Sequence, residues 1–221
     1  MNPGAFKYKA DILTADDLRE AAELAERMSE QKRSVHSEGR YAAYKWFEVN
    51  LDPNLPFARK VLDELGAEKP EVFGFYYLEP GARIHPHRDL TGASMNNRIR
   101  FHVPVVTNPG VEFTVSGERI PMKPGELWYL DTSYKHSVAN TGDESRVHIV
   151  VECAVNDKIR GIIPRTLRAR LHTVGYVGVL GAKFVEALIK NSLTDPAHFK
   201  AQMRMIGRFI GWRFLKTRRP H

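Results

Sequence analysis

Apolar positions repeat every second residue through the middle of this chain and every third or fourth residue toward both ends. That change of period predicts a β-rich centre flanked by helices. Leu18, Ala22, Ala25 and Met28 fall on one helical face, and Thr14 to Asp17 reads as a capping box, so a helix is predicted through about Lys32. Tyr41 to Leu51 is aromatic and β-branched and predicts a strand, and Leu55 to Leu65 predicts a short helix ended by Gly66. Val72 to Leu78 predicts a strand, Glu79, Pro80 and Gly81 a turn, and Ala82 to His87 another strand. Four further strand-like runs follow, at Arg98–Val106, Val111–Val115, Glu126–Leu130 and Arg146–Ala154. Ser116 and Gly117 mark a hairpin turn, Lys123 to Gly125 a turn before the next strand, and His136 to Asn140 is expected in a loop. Beyond Asp157 the period is helical again, with segments near 164–172, 176–191 and 197–216. Many short strands separated by such turns argue for a barrel or jelly roll.

Composition narrows the class. The chain has 221 residues, 43% hydrophobic and 27% charged, which suits an ordinary globular protein with one sizeable core. A single cysteine, Cys153, excludes an intramolecular disulfide and fits a reducing compartment. With neither a signal-peptide pattern at the N-terminus nor a long uninterrupted apolar run, the expected location is the cytoplasm. The net charge of +7 is uneven: residues 157–221 carry 14 Lys and Arg against 3 Asp and Glu, while the remainder carries 19 against 23. Basicity confined to one end argues against a nucleic-acid binder.

The chemistry gathers in the β-rich part. His87 and Asp89, two apart, would share one face of a strand, and His136 follows 47 residues beyond Asp89. Two histidines and one carboxylate form the set that holds non-haem Fe(II) on one side and leaves the other open. A lone His-x-Asp is usually just solvated, so the neighbouring strands matter. Along Arg98–Val103, period two puts Arg98, Arg100 and His102 on one face and Ile99, Phe101 and Val103 on the other. A strand face bearing two guanidiniums and an imidazole suggests bound anions, although a solvated outer face would look the same. Arg146 and His148 repeat the pattern. A guanidinium near a metal suits a dicarboxylate such as 2-oxoglutarate, which its fork meets bidentately.

Segment 79–157 resembles the aspartyl/asparaginyl β-hydroxylase family of Fe(II)/2-oxoglutarate-dependent dioxygenases. The matching pieces are Glu79, Pro80 and Gly81 with Pro86 and His87, then Asn97 to His102, Gly125 to Asp131, His136 with Ser137, and Arg146 to Ile149. Their order and spacing agree together. The resemblance implies a double-stranded β-helix, jelly roll or cupin-like; with the helices that periodicity predicts at both ends, the expected fold is mainly β with N-terminal helices and a C-terminal helical extension. The resemblance also implies His87, Asp89 and His136 as iron ligands, in the bacterial manner that retains the full triad. Arg146 would anchor the distal carboxylate of 2-oxoglutarate, and Arg100 and His102 would face the cofactor or a substrate carboxylate. The vertebrate enzyme that names the family has glycine where this chain has Asp89, whereas related bacterial cis-proline hydroxylases keep the carboxylate. The chain also carries neither the repeat region nor the membrane anchor of that enzyme. Both points argue for a substrate other than an epidermal-growth-factor-like peptide.

The expected activity is therefore hydroxylation of an amino acid, a peptidyl residue or a carboxylate-bearing biosynthetic intermediate, with O2 as co-substrate, succinate and CO2 as co-products and ascorbate stimulatory. Arg98, Tyr76 and Trp46 are candidates for substrate contact, and residues 90–97 for a lid. Residues 1–157 are expected to form the dioxygenase domain, and 158–221 a basic helical extension packed on or beside it. Lys200, Arg204 and Arg208 repeat every four, with Phe199, Met203, Ile206, Phe209, Ile210 and Trp212 largely opposite. That amphipathic pattern fits a helix packed on the domain with its basic face in water, or contact of residues 197–219 with an anionic membrane. Gly207 and Gly211 would allow close helix packing in a homodimer. Two rival functions remain: a cupin-like metal-binding module without oxygenase activity, and the same enzyme core recruited by its tail to membrane lipid or saccharide intermediates.

Overall fold

The structure, a computed structural model, describes residues 2, 4–33, 46–89, 98–163, 167–197, 199–200 and 203–204. Its strands are β1 (Ala5–Lys9), β2 (Trp46–Asn50), β3 (Val72–Leu78), β4 (Arg83–His87), β5 (Arg98–Val106), β6 (Val111–Val115), β7 (Glu118–Arg119), β8 (Leu127–Leu130), β9 (His136–Asn140) and β10 (Arg146–Ala154). Its helices are α1 (Ala15–Arg33), α2 (Pro56–Leu65), α3 (Asp157–Ile162) and α4 (Leu167–Thr194). The strands form a six-stranded sheet in the order β1-β8-β5-β10-β3-β2 and a four-stranded sheet in the order β4-β9-β6-β7. Every pairing is antiparallel. The fold is a jelly roll with flanking helices.

Period two in the central strands builds two cores. Ile99, Phe101 and Val103 of β5, Leu127 and Tyr129 of β8, and Val147, Ile149 and Val151 of β10 join one cluster with Ala21, Ala25, Phe57 and Leu62 of the helices. Their neighbours Trp128 and Leu130 turn the other way, into a second cluster with Phe113, Val115 and Val138 of the small sheet. Arg100, His102, Arg146, His148 and Glu152 share that second face by the same alternation. The large sheet is thus apolar toward the helices and chemically armed toward the small sheet.

Local signals explain the ends of elements. Thr14 and Asp17 make the reciprocal capping bonds: the Asp17 carboxylate accepts from Thr14 N at 2.9 Å, and Thr14 Oγ1 accepts from Asp17 N at 3.3 Å. Helix α2 ends at Gly66, whose φ of 61° is left-handed, and Ser116 and Gly117, both at positive φ, turn β6 into β7.

Several expectations change. Strand β1, a short Phe6-Lys7-Tyr8 alternation not among the expected strands, edges the large sheet beside β8. His136 to Asn140 is a strand rather than a loop, because β6 and β4 pair with it on both sides. The segments expected near 164–172 and 176–191 are joined in one helix, α4, with Gly175 inside it and nothing within 4 Å of where its Cβ would stand. Residues 41–45, the 90–97 lid candidate and nearly all of the 197–219 amphipathic segment, with Arg208, Ile206, Phe209, Ile210, Trp212, Gly207 and Gly211, lie outside the described residues. The chain divides into two compact units, Met1–Arg170 and Leu171–His221. Among the described residues no helix is long and apolar enough to cross a membrane.

Candidate active site

Sheet register brings the two histidines together. His87 and His136 are direct cross-strand partners, with ring centroids 4.3 Å apart. Next to them Ile84 pairs with Val138, so three steps along β4 match two along β9. The extra residue is a bulge, with His85 and Pro86 opposite Ser137. Without it His87, three residues from inward-facing Ile84, would point to the opposite face from His136. Asp89 lies just past the end of β4, where its backbone N–H donates to the Thr132 carbonyl at 2.9 Å.

The rings are also set for coordination. His87 Nδ1 lies 2.8 Å from the His85 carbonyl, and His136 Nδ1 lies 2.9 Å from the Tyr134 carbonyl. A carbonyl only accepts, so each neutral ring carries its proton on Nδ1 and keeps Nε2 as a lone pair. Burial pulls the His136 imidazole below its ordinary value, which favours the neutral, ligating form. One ligand atom from each of His87, Asp89 and His136 lies within 4.8 Å of the others. Two imidazole nitrogens and a carboxylate oxygen in one cluster fit an Fe(II) facial triad. Arg100 fixes the carboxylate: its guanidinium donates to Asp89 Oδ2 at 3.0 Å and to Glu152 Oε2 at 2.7 Å. Burial alone would weaken the charge of Arg100, but its bonds to Glu152 and Asp89 hold it above its ordinary value.

The triad opens into a cavity of about 310 Å³ that is also lined by Tyr76, Arg100, His102, Phe113 and Arg146. Arg146 is 4% exposed and makes no ion pair among the described residues. Its Nη2 donates to His148 Nδ1 at 2.7 Å, while its buried Nε has no partner. Burial alone pulls this guanidinium down to about 9. A buried cation that lines a cavity and has no anionic partner among the described residues is electrostatically incomplete without one. His102 and His148 are held neutral by burial first and then by the charge of Arg146.

The two buried histidines give a pH prediction. Each is depressed when folded, so only the unfolded chain takes up a proton as pH falls below about 6.5. Their stability is complete above that pH and is lost below it, by up to about 1.4 kcal/mol per pH unit per histidine. Urea unfolding of the metal-free protein is therefore expected to show a lower midpoint at pH 5.5 than at pH 7.5. Equal midpoints would contradict the buried neutral pair.

The family profile described as aspartyl/asparaginyl beta-hydroxylase matches residues 18–155. The chain belongs to this family. Aspartate beta-hydroxylase domain-containing protein 1 of Mus musculus and that of Homo sapiens are each 35% identical over 82 residues. Those matches cover 36% of this chain but only 22% and 20% of the relatives, so the chain spans about a fifth of their length. Among solved structures, the epimerase SnoN, crystallised with Fe3+, alpha ketoglutarate and nogalamycin RO, superposes with a TM-score of 0.50 at 18% identity. That match covers 68% of this chain and 79% of SnoN, and it shows a shared fold.

Within the family frame, His87, Asp89, His136, Arg146, Arg100, His102 and Tyr76 all line the cavity. Arg98 is not in the lining and is held by ion pairs to Glu71 and Glu152. Trp46 starts β2 opposite Leu78, and its side chain lies outside the described residues. Glu152, Glu48 and Asp131 were not foreseen. Glu152 was findable, since it continues the two-residue period of Arg146 and His148. Glu48 bonds the Tyr76 hydroxyl, and burial with that bond pushes the phenol up, so it stays protonated.

Proposed function

We propose that this protein is a non-haem Fe(II)/2-oxoglutarate-dependent dioxygenase that hydroxylates an amino acid, a peptidyl residue or a carboxylate-bearing biosynthetic intermediate. The observation that carries this reading is Arg146, a buried guanidinium that lines the same cavity as the triad and has no ion pair among the described residues. A metal-binding module without oxygenase activity has no use for such a group, whereas a dicarboxylate cofactor completes it. Family membership and the His-Asp-His donor set support the same reading.

His87, Asp89 and His136 would hold the iron, each imidazole through Nε2. Iron bound there would supply the oxidation of 2-oxoglutarate by O2 to succinate and CO2 together with hydroxylation of a substrate C–H bond. Arg146 would bind the far carboxylate of 2-oxoglutarate, with His148 holding the guanidinium in place. Arg100 keeps the Asp89 carboxylate turned toward His87, and Phe113 and His102 narrow the cavity against water. Purified protein given Fe(II), ascorbate and 2-oxoglutarate is expected to release succinate slowly, and faster with a substrate that gains one oxygen by mass. Protein that neither binds 2-oxoglutarate nor turns it over sinks the reading.

A further inference from the structure

A second cavity, also about 310 Å³, shares Phe113 as a wall with the first. His148 lines it, while its bonding partner Arg146 lines only the first, so one hydrogen bond joins the two spaces. Nδ1 of His148 faces the Arg146 guanidinium, which can only donate. The single proton of this neutral ring therefore sits on Nε2. No protein group accepts from Nε2 among the described residues. Nor is Nε2 among the buried atoms that lack a partner, so it is open to the space that His148 lines.

The rest of the lining has one sign of charge. Arg119 and Lys123 contribute cations and no Asp or Glu lines the cavity. Neither cation makes an ion pair among the described residues. Arg119 has only two long contacts, to the carbonyls of Pro109 at 3.5 Å and Val111 at 3.3 Å. Opposed to these donors is an apolar wall of Val111, Phe113, Ile120 and Met122. The exposed cations Arg119 and Lys123 together with the buried His148 donor suit an acceptor of negative charge, and the wall suits a short hydrocarbon body.

We infer that this second cavity binds a small organic carboxylate, its anion held by Arg119, Lys123 and His148 Nε2 and its apolar part against Phe113, Ile120 and Met122. The site stands apart from the metal triad, so it does not depend on the oxygenase reading.

Butyrate and inorganic phosphate serve as the two probes, followed by NMR on the whole protein without added metal. Butyrate is expected to shift the amides of Thr107, Ile120 and Met122 and the ring nitrogens of His148, whose spectrum should show the Nε2–H tautomer. The surface double variant Arg119→Gln/Lys123→Gln should weaken butyrate binding at least tenfold while leaving 2-oxoglutarate binding unchanged. Arg146→Met, by contrast, should remove 2-oxoglutarate binding while leaving the butyrate shifts of the Ile120 and Met122 amides in place. Butyrate shifts confined to the first cavity, or affinity unchanged in the double variant, overturn the inference. Phosphate binding as tightly as butyrate overturns the assignment of an organic carboxylate.

Discussion

His136→Ala is expected to abolish succinate formation and to weaken Fe(II) binding by more than about 100-fold. The scale follows from what lesser changes do: losing a group that merely orients a ligand typically costs about 10–100-fold in metal affinity. His136 would be a ligand itself, with its Nε2 freed by the Tyr134 carbonyl and its ligand atom clustered with those of His87 and Asp89. The fold should tolerate the change, because His136 is only partly buried and its strand is pinned by backbone pairing to β4 and β6. Thermal unfolding of the metal-free variant should therefore stay close to that of the parent. Isothermal titration with Fe(II) under anaerobic conditions, alongside a succinate assay, reads both quantities. A variant that keeps micromolar iron binding and measurable turnover would remove His136 from the metal centre and with it the triad.

The strands of the site were legible because their signal is local. Arg98–Val106 and Arg146–Ala154 appear with the bounds read from alternation alone, and alternation also placed Arg100, His102, Arg146 and His148 on one face. The partners across that face were not legible. Two guanidiniums along β5 suggested an external anion, yet Arg100 is answered by Asp89 and Glu152 and Arg98 by Glu71 and Glu152. Those carboxylates come from positions 11 to 54 residues away along the chain, a distance over which periodicity carries no information. The bulge at His85 and Pro86 was hidden for a similar reason. A bulge exists only relative to a partner strand, and nothing in the sequence of β4 states its register against β9. His136 to Asn140 reads as a loop in sequence because it has a single large apolar residue, Val138, and only pairing on both sides makes it a strand.

Arg146→Met is expected to move two measurements in opposite directions. Affinity for 2-oxoglutarate should fall by at least about 100-fold, since truncating one side of a buried, charge-assisted pair typically costs about 2–5 kcal/mol. Stability of the metal-free, cofactor-free protein should instead rise by about 1–3 kcal/mol, within the range seen when buried charge gives way to apolar side chains of similar volume. The second expectation rests on the state of the guanidinium: 4% exposed, without an ion pair among the described residues, its Nε idle and its proton affinity lowered by burial to about 9. Against this gain stand the bond to His148 at 2.7 Å and the contact with the Phe113 ring at 5.9 Å, which keep the net figure modest. Arg146→Lys should fall between the two proteins in affinity, because an ammonium supplies the charge without the bidentate fork. Chemical denaturation and 2-oxoglutarate titration of the three proteins test the pair of effects together. Loss of both stability and affinity would make Arg146 a structural residue. Loss of affinity with a gain in stability is what a residue held in an unfavourable state for its cofactor should show, since the bound dicarboxylate then returns the stability that the empty site lacks.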